Sequence, residues 1–203
     1  IDKYLRKFGV PTDKPLITQV SRFDKWKNPE KVIDIFREVK KKVDCRLVLC
    51  GSMASDDPEG LEIFSHIQSY TSHLTQNRDV ILITNENNIL VNAIQRAASV
   101  IIQRSSKEGF GLTVAEALWK EKPVVASNIG GILLQIEDGV SGYLVDPDDT
   151  KGFAKRTVEL LEHPDLGWQM GQKGKETVRE KFLITRLLLD HLVFIKDAID
   201  MYR

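Results

Sequence analysis

The sequence predicts an α/β fold: a doubly wound parallel sheet with extra helices toward its C-terminal end. Three observations carry that prediction. Short apolar runs alternate with amphipathic stretches as far as Val145, the pattern of strand and helix in turn. Several of those runs are continuously apolar, which marks strands covered by helices on both faces and therefore parallel pairing. From Thr150 onward only helical patterns remain.

Each element has its own signal. Leu16-Ile17-Thr18-Gln19-Val20 follows Pro15 and reads as a strand. Pro29 to Lys42 reads as a helix with Val32, Ile33, Phe36 and Val39 on one face. Asn28 is placed to cap it and Pro29 to occupy its first turn. Arg46 to Cys50 is the next strand, stopped by Gly51; Pro58 to about Leu74 is a helix; Val80 to Ile83 is a strand; Ile89 to Ala98 is a helix. Strands at Val100–Ile102, Val124–Ala126 and Tyr143–Val145 follow, with a helix from Leu112 to Lys120 between the first two. Helices at Lys151–Glu162, Asp165–Lys181 and Thr185–Tyr202 complete the chain, with Pro164 dividing the first two. No internal repeat or low-complexity linker appears, so residues 1–203 read as a single domain.

Composition narrows the class. The 203 residues carry 29 Lys plus Arg against 29 Asp plus Glu, a formal net charge of zero. Neither a nucleic-acid binder relying on bulk positive charge nor a polybasic membrane-surface module fits that balance. Hydrophobic residues at 42% and charged residues at 29% suit a globular domain with a real core. No apolar run approaches the roughly 20 residues of a membrane span. The start, Ile1-Asp2-Lys3-Tyr4, is neither a secretory signal nor an initiator methionine, so a fragment is expected. Cys45 and Cys50 sit on one apparent strand with side chains on opposite faces, unsuited to pairing. They read as buried thiols of a reducing, cytoplasmic compartment.

Ligands of open α/β sheets bind beyond the carboxyl ends of the strands, and three loops there stand out. Ser21-Arg22-Phe23-Asp24-Lys25-Trp26-Lys27-Asn28 puts Arg22 and Lys27 where they could converge on an anion beside a helix start; a solvated basic loop explains it equally well. Ser105-Ser106-Lys107-Glu108-Gly109-Phe110-Gly111-Leu112-Thr113-Val114-Ala115-Glu116-Ala117 runs into a helix whose free N–H groups can hold a phosphate. Glu108 and Glu116 flank that start, and carboxylates accept two hydrogen bonds, matching a vicinal diol. A nucleotide sugar, with hydroxyls on both sides of its phosphates, fits the string. A dipole-stabilising Glu116 with an incidental Glu108 is the plainer alternative. Ser127-Asn128-Ile129-Gly130-Gly131 allows close backbone approach or is a plain turn.

Other chemistries lack their patterns. No Gly-x-Gly-x-x-Gly follows a strand, and Gly174-Lys175 lacks the upstream glycine and the Ser/Thr of a P-loop,. No Gly-x-Ser-x-Gly occurs,. His66 and His73, two turns apart on one predicted helix, are too far apart for a metal pair, and His163 and His191 have no acidic or cysteine partner at motif spacing.

Glu108-Gly109-Phe110-Gly111-Leu112-x-x-x-Glu116-Ala117 resembles the signature of retaining GT-B glycosyltransferases of the family 4 type. That large family includes sucrose and glycogen-type synthases and many mannosyltransferases. Val20-Ser21-Arg22 with Lys27, Lys122-Pro123-Val124-Val125-Ala126, Gly130-Gly131 and Asp138-Gly139-x-x-Gly142-Tyr143-Leu144-Val145 resemble further family segments, so the match spans nearly the whole chain. A finer resemblance is to trehalose synthases that join a nucleotide-activated glucose to glucose. It rests on Gln19 to Asp24, on Met53-Ala54-x-Asp56-Asp57-Pro58-Glu59-Gly60 and on Val91-Asn92-Ala93-x-Gln95-Arg96-Ala97, with Leu133 where those enzymes carry a lysine.

The resemblance implies the C-terminal, Rossmann-like half of a two-domain enzyme. Its partners are a nucleoside diphosphate sugar, a sugar acceptor and an absent N-terminal domain, with a homodimer left open. The last helix would cross back to that domain, leaving Leu187, Leu188, Leu192 and Ile195 partly uncovered. Arg22 and Lys27 would neutralise the diphosphate, Glu108 would hold sugar hydroxyls and Glu116 the ribose diol. Ser21 and the Gly109, Phe110, Gly111, Leu112 and Thr113 segment would line the site, with the base near Asn85 and Glu86. No metal or other cofactor is implied, because the basic pair does the ion's work. A hydrolase using both glutamates, or a non-catalytic nucleotide-binding module, are the competing readings.

Overall fold

The computed structural model describes residues 1–51, 58–84 and 87–201. Its strands are β1 (Leu16–Val20), β2 (Arg46–Cys50), β3 (Val80–Ile83), β4 (Val100–Gln103), β5 (Val124–Ser127) and β6 (Tyr143–Val145). All pair in parallel, in the order β3-β2-β1-β4-β5-β6. The order reverses at β1, which pairs with β2 on one side (Ile17 opposite Leu47) and with β4 on the other (Ile17 opposite Val100). That switch point opens a crevice at the carboxyl ends of β1 and β4.

The helices are α1 (Asp2–Lys7), α2 (Pro29–Lys40), α3 (Pro58–Tyr70), α4 (Ser72–Gln76), α5 (Asn88–Ala97), α6 (Leu112–Trp119), α7 (Thr150–Glu162), α8 (Pro164–Lys181) and α9 (Ile184–Met201). Strand residues alternate between two cores. Ile17, Leu47, Leu49, Val100 and Val125 pack with Phe36 of α2 and Phe153 of α7. Leu16, Val20 and Val48 pack with Leu90 and Ile94 of α5. Farther along that face, Ile101, Val124 and Ala126 pack with Val114 and Leu118 of α6. Burial on both faces is what the continuous apolar runs require.

The cysteines divide as expected: Cys45 lies in the α2 core and Cys50 in the α5 core. Burial pushes both thiols up to about 11. Asn28 caps α2 by accepting the Lys31 N–H at 3.1 Å, with Pro29 in the first turn.

Three elements differ from the sequence expectation, the first being α1, which the sequence reading did not include. The helix expected from Pro58 to Leu74 breaks into α3 and α4 at Thr71, whose buried hydroxyl donates to the Ile67 carbonyl at 2.7 Å. Such back-bonding competes with the helical ladder. His66 and His73 therefore lie on different helices, and His66 bonds Glu30 at 2.8 Å. Gly130–Leu134 forms a short 3₁₀ turn rather than a plain loop. No helix among the described residues is long and apolar enough to cross a membrane.

Candidate functional site

The loops after β1 and β4 meet over the switch point. The Ser106 N–H donates to the Trp26 carbonyl at 2.8 Å, and the Lys107 ammonium sits 4.2 Å from the Trp26 ring centroid. Lys27 is held from three directions. Its N–H donates to Asp24 Oδ1 at 2.8 Å, its carbonyl accepts from Gln19 Nε2 at 3.0 Å, and its ammonium forms an ion pair with Glu108. The Lys27 and Glu108 side chains are only 18% and 11% exposed. Screening by water is weak there, so each charge needs the other.

The Glu108 loop is shaped from behind by the glycines of the 3₁₀ turn. The Gly131 N–H donates to the Gly109 carbonyl at 2.8 Å, and a Cβ on Gly130 would fall 1.9 Å from the Glu108 carbonyl oxygen. Of the two readings of Gly130-Gly131, the structure shows a close backbone approach, and it is made to this loop. The Gln135 side-chain amide donates a hydrogen bond to the Phe110 carbonyl. Gly111, at φ +86°, turns the chain into α6 in the left-handed conformation that glycine adopts freely,. No side chain caps α6, so its first amides face outward from the helix start. Among the described residues, and apart from its two chain neighbours, nothing lies within 4 Å of a Cβ built on Gly109, so that side of the loop is open. Phe110 packs edge-on against Phe182 at 5.5 Å, and Leu112 is exposed.

A cleft of about 380 Å³ lies beside these loops, lined by Val20, Ser21, Arg22, Cys50, Gly51, Asn87, Asn88, Val91, Thr113 and Glu116. It brings together four of the residues singled out from sequence: Ser21, Arg22, Thr113 and Glu116. Arg22 is 62% exposed and lies 3.2 Å from Asp24 Oδ2, an ion pair without hydrogen-bond geometry. The Thr113 hydroxyl donates to Gln103 Oε1 at 3.2 Å, and Gln103 Nε2 donates to Ser105 Oγ at 3.1 Å. Glu116 Oε2 accepts from Gln95 Nε2 at 3.1 Å. Burial lowers the pKa of Lys120, one turn on, and the Glu116 charge opposes that shift.

Lys27, Glu108, Gly109, Phe110, Gly111 and Leu112 are not among the residues that line the cleft, although they belong to the same two loops and helix start. Asn85 and Glu86 lie outside the described residues, as do Met53, Ala54, Asp56 and Asp57. Sequence reasoning did not name Asn87 or Asn88, and it quoted Val91 and Gln95 only as part of the family resemblance, with no role in this region. Asn88, Val91 and Gln95 recur at helical spacing on α5, and that spacing was the available signal.

The sequence matches the family described as glycosyl transferases group 1 over residues 1–177. The chain belongs to that family. This glycosyltransferase chain is 45% identical over 194 residues to the trehalose synthase of Thermococcus litoralis, covering 94% of this chain and 46% of that protein. It is 48% identical over 192 residues to the trehalose synthase of Rubrobacter xylanophilus, covering 92% and 44%. The chain thus spans about half the length of the curated relatives it matches. Its fold is the Rossmann-like GT-B fold. The Anabaena Alr3699/HepE structure in complex with UDP and glucose superimposes with a TM-score of 0.82 at 18% identity, covering 97% of this chain and 52% of that one.

Proposed function

We propose that this glycosyltransferase chain is the donor-binding half of a retaining hexosyltransferase. It would bind a nucleoside diphosphate sugar, with glucose as the sugar and glucose as the acceptor, giving trehalose. The observation that carries this reading is the cleft at the switch point, which places a cation, Arg22, and a hydroxyl acceptor, Glu116, on one surface. Phosphate needs the first and a ribose diol the second. The trehalose synthase relatives support the choice of sugar and acceptor.

In this reading the diphosphate lies between Arg22 and the start of α6. Lys27 exchanges its Glu108 partner for the phosphates, and Glu108 turns to the sugar hydroxyls. As the glycosidic bond breaks, negative charge grows on the leaving diphosphate, and Arg22 and Lys27 stabilise it. The acceptor hydroxyl attacks from the same face and passes its proton to the departing phosphate, so no protein nucleophile takes part. In this reading the site needs no metal, since the Arg22 and Lys27 side chains neutralise the leaving group. A glycosidase using Glu108 and Glu116 directly is disfavoured, because the two are turned to different partners, Lys27 and Gln95,.

The acceptor site and turnover would require a second α/β domain. The uncovered face of α9 supports this: Leu187, Leu188, Leu192 and Ile195 are exposed and no residue of the helix is buried. Titration calorimetry with UDP, ADP, GDP and their glucose conjugates tests the reading. Binding of at least one nucleotide and its glucose conjugate is expected, with no glycosidic bond formed by the chain alone. Hydrolysis of a simple glycoside without nucleotide would favour the glycosidase instead.

A further inference from the structure

The interior of α5 holds a polar group that packing does not explain. Gln95 is fully buried, on a helix whose other inward residues, Leu90, Ala93 and Ile94, are apolar. Its Nε2 donates to Glu116 Oε2 at 3.1 Å, while its Oε1 is buried with no hydrogen-bond partner among the described residues. Burying an amide with one end unsatisfied is costly. An apolar side chain of similar volume would fill the same space without that cost. Val91 and Asn88, one and two turns earlier on the same side of α5, line the cleft that Glu116 lines.

We infer that Gln95 is a positioning residue for Glu116. One N–H of its amide fixes the carboxylate's rotamer and occupies Oε2,, so Oε1 is left to accept from ligand. A carboxylate held in this way offers acceptors alone, and so selects ligand hydroxyl donors over groups that only accept. The amide orientation follows from the same logic, because the flipped amide would set two acceptors against each other. The inference rests on the donor reading above, in which Glu116 faces the ribose diol. It adds that Glu116 recognises the diol only while Gln95 holds it.

The test compares a ribonucleotide with its 2′,3′-dideoxy counterpart by titration calorimetry, using whichever of UDP, ADP and GDP binds tightest. The unmodified chain should prefer the ribonucleotide by about tenfold, the worth of one good hydrogen bond to a charged group. Gln95→Met should reduce that preference to about twofold while leaving the dideoxy affinity in place. In a Glu116→Gln background, Gln95→Met should change nothing further, because its partner is already gone. Should Gln95→Met fail to fold, Gln95→Asn keeps a buried amide but shortens it beyond reach of Glu116, and the same pattern is expected. Equal losses for both nucleotides, or an effect that persists without Glu116, would overturn the inference. If Glu116→Gln abolishes the preference while Gln95→Met retains it, this inference falls and the donor reading stands. If no nucleotide binds, or Glu116→Gln leaves the preference intact, the ribose assignment falls and takes the inference with it.

Discussion

Glu108 and Glu116 stand on one loop–helix segment, yet the fold prepares them in opposite ways. Glu108 is matched by a full charge from across the crevice, Lys27, and both are largely buried. Glu116 is matched by a neutral amide from the α5 wall and stays in the open cleft. In the proposed reading the first carboxylate must change partners to serve a ligand, whereas the second already stands oriented by Gln95. A buried charge tolerates waiting only when paired, whereas a carboxylate at a wet surface can be oriented by one hydrogen bond.

The sharpest way to break this contrast is Gly130→Ala. The added Cβ meets the Glu108 carbonyl oxygen, at a φ of +51° that already disfavours alanine. The Glu108 loop must shift, at a cost of about 3 kcal/mol. Thermal denaturation should show that loss. Binding of a nucleotide–glucose conjugate should fall more than binding of the free nucleoside, because the Glu116 side is untouched.

Next in size is Lys27→Met, which leaves Glu108 without its partner and should cost about 2 kcal/mol. Adding Glu108→Gln should restore most of that stability, and additive losses in urea titrations would show that the pair is not coupled.

Arg22→Ala is smaller for the fold. An arginine this exposed contributes within about 0.5 kcal/mol, so the melting temperature should hold while diphosphate affinity drops by roughly tenfold.

The smallest effect lies at the opposite end of the sheet. Asp44 accepts from Lys40 and Lys14, which hold its carboxyl at about 2, below the usual 3.8. A carboxyl lowered on folding stabilises the fold above its unfolded value, and that contribution is lost as pH falls from about 4 toward 2. Asp44→Asn should flatten that part of the acid limb without altering nucleotide binding at neutral pH.

The sheet was legible because each strand is a short apolar run bounded by proline, glycine or polar turns, and the observed strands begin at the expected residues. Helix α1 was not, since six residues with one buried side chain, Leu5, carry no measurable period. The break at Thr71 was hidden because threonine is ordinary in a helix until its hydroxyl bonds backward. The family signature pointed to both glutamates and to the basic pair. What no spacing revealed was how they are partnered. Lys27 reaches Glu108 across 81 residues of chain, and Gln95 reaches Glu116 across 21. In sequence, Gln95 belongs to a segment that carries the family resemblance but has no assigned role; only the packing of α5 beside α6 shows its partner.

Calorimetry of UDP, ADP and GDP against the chain and its Arg22→Ala variant tests the central claim most directly. At least one nucleotide should bind, and Arg22→Ala should weaken it several-fold more than it weakens the matching nucleoside. A folded chain that binds none of the three, or an Arg22→Ala loss equal for nucleotide and nucleoside, would contradict the assignment of this cleft to a nucleotide-sugar diphosphate.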